Sequence, residues 1–116
     1  MSVLEIIDAA SWKEFIAAPA AVLVLGKSDC ENCARWTAEL SGFAESNQEF
    51  RQVRFGKMML DQPGLIDFKR SNRWVADLDV LPFTVIYVDG QRTRSFAGSG
   101  VERLVNRLRR VLAPER

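Results

Sequence analysis

Hydrophobic positions along this chain recur with two periods, and each change of period marks a change of element. Residues 3–7 form a short apolar run suited to a strand. Ser11-Trp12-Lys13-Glu14 then has the spacing of a capping box, so a first helix is expected to begin at Ser11 and to end before Pro19. Residues 20–25 are apolar at every position and rich in branched side chains, the pattern of a strand covered on both faces in the middle of a sheet. From Cys33 onward, Trp36, Leu40 and Phe43 recur at helical spacing as far as Ser46-Asn47. Val53, Phe55 and Met59 alternate with Arg54 and Gly56 in a further strand, whose apolar face Lys57 interrupts and which Asp61-Gln62-Pro63-Gly64 stops.

Residues 65–75 read as a third helix. Residues 83–88 are an apolar strand joined through Asp89-Gly90, a good hairpin signal, to a second strand over 91–96. Val101, Leu104, Val105, Leu108, Val111 and Leu112 then lie on one face of a closing helix. The order β-α-β-α-β-α-β-β-α calls for right-handed crossovers. It predicts a three-layer α/β/α sandwich whose mixed, mostly parallel central sheet ends in an antiparallel hairpin. At 116 residues the chain supports one core and is expected to be a single domain over 1–116.

Charge narrows the partners. With 16 Lys and Arg against 15 Asp and Glu, the formal charge is +1, so no global field draws in nucleic acid or an anionic membrane. Arg103, Arg107, Arg109 and Arg110 are expected to be a solvated helix face, with an acidic partner or nucleic acid as the alternative. The first residues carry no basic stretch leading into a long apolar run, and no segment approaches a membrane span, so a cytoplasmic monomer is expected. Histidine is absent, which removes Cys-His and Ser-His catalysis and leaves a metal without an imidazole ligand.

The chemistry therefore falls to two cysteines, Cys30 and Cys33, placed directly after the buried strand and at the start of the second helix. Residues three apart on a first helical turn share a face, close enough for their sulfurs to bond and part reversibly. The helix N-terminus stabilises a thiolate, the species that attacks a disulfide. Cys30, nearer the end, is the expected nucleophile, and Cys33 the resolving thiol that attacks a mixed disulfide and releases the product. Asp29 and Glu31 flank Cys30 with negative charge that opposes the thiolate, while Arg35 and the helix dipole act the other way. If the carboxylates win, the couple becomes more reducing.

A strand, Cys-x-x-Cys on a helix, a proline before a strand and a glycine beyond a hairpin together resemble the thioredoxin family over essentially the whole chain. The matching pieces are Ala21-Val22-Leu23-Val24, the run from Lys57 to Gln62, Val80-Leu81-Pro82-Phe83-Thr84, and Asp89-Gly90 with Gly98 beyond. The resemblance implies a cis Leu81–Pro82 bond facing the disulfide. It also implies that the Leu81 backbone, Pro82 and the Gly98 loop hold an extended substrate peptide beside Cys30. Lys57 fits a lysine that in this family accompanies a buried aspartate, whose own place is taken here by Val24. The departures are Asp29-Cys30-Glu31-Asn32-Cys33 where the family commonly has Trp-Cys-Gly-Pro-Cys, Ala38 in place of a helix-kinking proline, and a longer 61–82 segment.

Each feature also has a plainer reading. Two cysteines are half of a tetrahedral zinc or iron–sulfur site, completed by a second copy or outside ligands, or they are an inert structural pair. Pro82 could be an ordinary turn proline, Lys57 a cation reaching solvent from a strand end, and Trp36 reads as core before substrate platform. The expected function is reduction of protein disulfides, with an upstream thiol reductase as electron donor and no bound cofactor or metal. The alternative is a non-catalytic module that uses the same surface to hold one protein partner.

Overall fold

A computed structural model describes residues 3–112. Five strands, β1 (Leu4–Ile6), β2 (Ala20–Gly26), β3 (Arg54–Met59), β4 (Phe83–Val88) and β5 (Gln91–Ala97), form one sheet in the order β1-β3-β2-β4-β5. The pairings β1–β3 and β2–β3 are parallel, whereas β2–β4 and β4–β5 are antiparallel, so four strands run one way and β4 runs against them. The uninterrupted apolar run of β2 is central because both its faces are covered. Ala20, Val22 and Val24 point into a core shared with helices α2 (Glu31–Ser46) and α4 (Val101–Val111). Ala21, Leu23 and Leu25 point the other way, into a core shared with α1 (Trp12–Ile16) and α3 (Ile66–Ser71). This is the three-layer sandwich expected from the order of elements.

Two local expectations are corrected. Ser11 does precede α1, but with helical backbone angles and no side-chain cap bond. Asp8 organises the turn instead, its carboxylate accepting from the Ala10 and Ser11 amides and the Ser11 hydroxyl. Glu14, the other half of the expected box, is drawn away to Arg54 at 2.5 Å, and Arg54 also grips Glu5 at 2.6 and 2.9 Å. A partner fixed by the fold outcompetes the local one. The helix expected over 65–75 is two pieces, α3 and a 3-10 turn at Arg73–Asp77. The chain breaks at Asn72, whose side-chain amide donates to the Phe68 carbonyl at 2.8 Å and closes α3.

Backbone demands explain the glycines that matter. Asp89 and Gly90 both have positive φ, 52° and 81°, as a two-residue hairpin with the twist of its strands requires. At Gly56 a Cβ would lie 2.8 Å from both Ile7 Cγ1 and Phe15 Cζ, so only glycine lets α1 pack flush on β3. The basic face of α4 is largely engaged: Arg109 pairs with Glu49 at 2.8 Å, and Arg103 and Arg107 stack on Phe96 at 4.6 and 4.8 Å. Among the described residues, no helix is long and apolar enough to cross a membrane.

Candidate functional site

The site lies where β2 and β3 end and β4 begins. Gly26 closes β2, a short loop follows, and Cys30 is the N-cap of α2, one step earlier than the first-turn position read from the sequence. Its extended backbone turns the sulfur back over the helix end, where it accepts a hydrogen bond from the Cys33 amide at 3.1 Å. A capping side chain normally offers an oxygen to such an unpaired N–H; here a sulfur fills that place, and the same amide and dipole favour it as a thiolate. The Cys30 and Cys33 sulfurs are bonded, with their Cα atoms 5.2 Å apart. Cys33 is fully buried and Cys30 half-exposed. One sulfur is therefore open to solvent while the other lies beneath it.

Gly26 makes room for the buried partner. A Cβ at this position would sit 3.0 Å from both Cβ and Sγ of Cys33. The register that pairs Leu25 with Phe83 brings Pro82, one residue earlier in β4's approach, alongside this end of β2. The Leu81–Pro82 peptide bond is cis, and the Pro82 carbonyl accepts from the Gly98 amide at 2.8 Å. Gly98 holds φ 89°, a conformation that costs other residues strain. Pro82 and Gly98 are thus locked together at the sheet end that carries the cysteines. Leu81 lines a cleft of about 430 Å³ with Leu60, Val75 and Leu78, so the long 61–82 segment folds into one wall of a depression at this end.

The charged neighbours divide. Glu31 and Arg35 approach each other at 3.6 Å across one helical turn, both side chains largely in solvent, which makes the pair weak and turns Arg35 toward Glu31. Asp29 is exposed. Lys57 is half-buried, faces α2 from β3 beside Val24, and lines a groove that reaches Cys30. Val24 itself is buried within the apolar core beside Trp36 and Leu40.

Two contacts escaped the sequence reading. The Trp36 indole N–H donates to the buried Thr84 hydroxyl at 3.0 Å, tying α2 to β4 two residues beyond Pro82. Asp61, read only as a turn residue, accepts from the Ser28 amide at 3.2 and 3.3 Å and from the Ser28 hydroxyl, pinning the loop that leads to Cys30. Hydrogen bonding from the Ser28 side chain, helped by its amide and by Lys27, holds the Asp61 carboxyl below its ordinary 3.8 against an opposing desolvation. A depressed carboxyl pKa favours the fold above the ordinary value and ceases to as pH falls through the lowered one. The pinning is therefore complete above pH 3.8 and lost on further acidification. Asp61→Asn should speed hydrogen exchange at the Ser28 amide at neutral pH and abolish its acid transition. Unchanged exchange would mean that the loop is held by something else.

Comparison with solved structures gives the fold its relatives. The chain superposes on thioredoxin f2 of Chlamydomonas reinhardtii with a TM-score of 0.75 at 17% identity, covering 97% of this chain and 99% of that one. The short form of spinach chloroplast thioredoxin f gives 0.77 at 14% identity, covering 97% and 96%. Oxidised thioredoxin O2 of Arabidopsis thaliana gives 0.73 at 14% identity, covering 95% of each. No protein-family model and no curated protein sequence matches the chain. These likenesses establish the thioredoxin fold over nearly the full length, at identities where chemistry must be argued from the site.

Proposed function

We propose that this protein exchanges thiols for disulfides through Cys30 and Cys33, and that it runs chiefly as a protein-disulfide reductase. One observation carries the reading: the more accessible sulfur occupies the N-cap of α2 and accepts the Cys33 amide, while its partner lies buried within bonding distance. In the reduced protein the Cys30 thiolate attacks one sulfur of a client disulfide. That S–S bond breaks, a Cys30–client disulfide forms, and the departing client thiolate takes a proton. Cys33 then loses its proton and attacks Cys30, so the second client thiol leaves. Two electrons have passed to the client, and the Cys30–Cys33 disulfide awaits an external dithiol.

The Leu81–Pro82 backbone and Gly98 supply the ledge on which an extended client lies. Asp29 bears on the direction of exchange, since its exposed carboxylate opposes a thiolate at Cys30, whereas Glu31 is partly answered by Arg35. A less favoured thiolate makes the dithiol the stronger donor. The expected potential is about −270 mV or lower, within reach of a cytoplasmic thiol reductase as electron source.

The test is turnover of a generic protein disulfide with dithiothreitol as donor, paired with equilibration against glutathione to read the potential. Turnover with a potential in the thioredoxin range supports a reductase. A potential far above it would make the protein an oxidant. A folded protein with no turnover would instead be a module that holds one partner at this surface.

A further inference from the structure

We propose that the groove between α2 and the β1–β3 edge is a subsite for a carboxylate on the disulfide client, with Lys57 as its principal cation and Lys27 as the second. The inference rests on exchange at Cys30 and adds the chemistry of the client. The register aligns Val24, Lys57 and Ile6 across the sheet, so all three side chains project toward α2. Above them α2 presents only small residues, Ala34, Thr37, Ala38 and Ser41, at helical spacing. Helix and sheet edge therefore fail to close on each other. A groove of about 460 Å³ remains, with Cys30 at one end, and Ile6 stands 74% exposed beside it.

The charge of this groove is one-sided. Its walls carry the ammonium groups of Lys57 and Lys27 and no carboxylate. Of the nearby acids, Asp61 is engaged by Ser28, Glu5 by Arg54 on the opposite face of the sheet, and Glu31 loosely by Arg35, while Asp29 is exposed at the Cys30 end and does not line the groove. Val24 offers Lys57 no counter-charge, and among the described residues the Lys57 ammonium makes neither a salt bridge nor a hydrogen bond. A half-buried cation without a partner is an anion site in waiting, because attraction strengthens where water is partly excluded. Lys27 also bears on Asp61, which leaves Lys57 the larger share. The Ser41 hydroxyl, with no partner among the described residues, is a further donor, whereas that of Thr37 is committed to the Ala34 carbonyl at 3.1 Å.

Distance defines the client. From Ala34 to Ser41 the helix rises about 10 Å, the reach of about three extended residues. The carboxylate is thus an Asp or Glu side chain within three residues of the client cysteine that Cys30 attacks.

The experiment compares peptide disulfides that differ only in Glu, Gln or Lys two residues from the cysteine, measuring kcat/KM at low and physiological ionic strength. Wild type should prefer Glu over Gln by about tenfold at low salt, the worth of one charge-assisted hydrogen bond, and should disfavour Lys. The Glu/Gln ratio should fall toward one in Lys57→Gln, fall less in Lys27→Gln, and invert in Lys57→Glu, whatever the absolute rates. Equal rates for Glu and Gln in wild type, or a preference that survives Lys57→Gln, would overturn the subsite while leaving exchange intact. If no peptide turns over, exchange itself fails. The subsite is then judged by amide shifts at Ala34, Thr37 and Ser41 when the oxidised protein is titrated with serine-for-cysteine peptides: shifts with Glu but not Gln support it, and none with either overturns it.

Discussion

Cys30→Ser should abolish disulfide turnover, a loss of at least about 10³-fold, while Cys33→Ser should halt the reaction midway and accumulate Cys30–client mixed disulfides. The two results differ because the two sulfurs occupy different places. Cys30 is half-exposed at the helix N-cap, so in the proposed reaction it is the sulfur within a client's reach, and a serine hydroxyl there is neither ionised near neutral pH nor able to form a disulfide. Cys33 is buried beneath it, reaching no client but only the bond Cys30 has made. Mass spectrometry of each variant after incubation with an oxidised client reads the outcome directly. A Cys30→Ser variant that still turns over, or a Cys33→Ser variant that traps nothing, would sink the assignment of roles. Stability must be compared with reduced wild type, because closing even a four-residue loop contributes about 2 kcal/mol in the loop-entropy account.

The fold was legible because most of its decisions are local. The unbroken apolar run of β2 can only be covered on both sides, Asp89-Gly90 can only turn tightly, and the α4 stripe can only face a core. Periodicity also identified which residues face inward. It says nothing of which inward residues meet, so the long-range contacts were hidden: Glu14 answering Arg54 across 40 residues, Asp61 holding Ser28 across 33, Trp36 donating to Thr84 across 48. The break at Asn72 was hidden for a related reason. Phe68 and Val75 keep a helical separation in sequence while reaching the same core from two pieces of chain. At the site, the cysteine pair was visible as a motif. The groove beside it was not, since it arises from small residues on one helix lying above a lysine on a strand.

Of these hidden contacts, the tie between α2 and β4 should be the most costly to break. Trp36 is 1% exposed, and its side chain fills the space between α2 and the centre of the sheet. Trp36→Ala should cost about 3–5 kcal/mol, much of a typical domain's total of ~5–15 kcal/mol. At about 4 °C per kcal/mol for a domain of this size, the melting temperature should drop by roughly 12–20 °C. Trp36→Phe and Thr84→Val divide that cost. Each keeps much of the volume but strands one buried polar group, the Thr84 hydroxyl or the indole N–H, at about 1–3 kcal/mol. Combined, they leave neither group stranded, so the double variant should be more stable than the sum of the single losses predicts, a coupling that urea titrations followed by circular dichroism would measure. Additive losses would mean that the 3.0 Å contact contributes nothing of its own. The coupling matters to the proposed chemistry because Cys30 caps α2, Cys33 lies in its first turn and β4 follows Pro82 directly, so this bond joins the sulfur-bearing half of the site to the half proposed to hold the client.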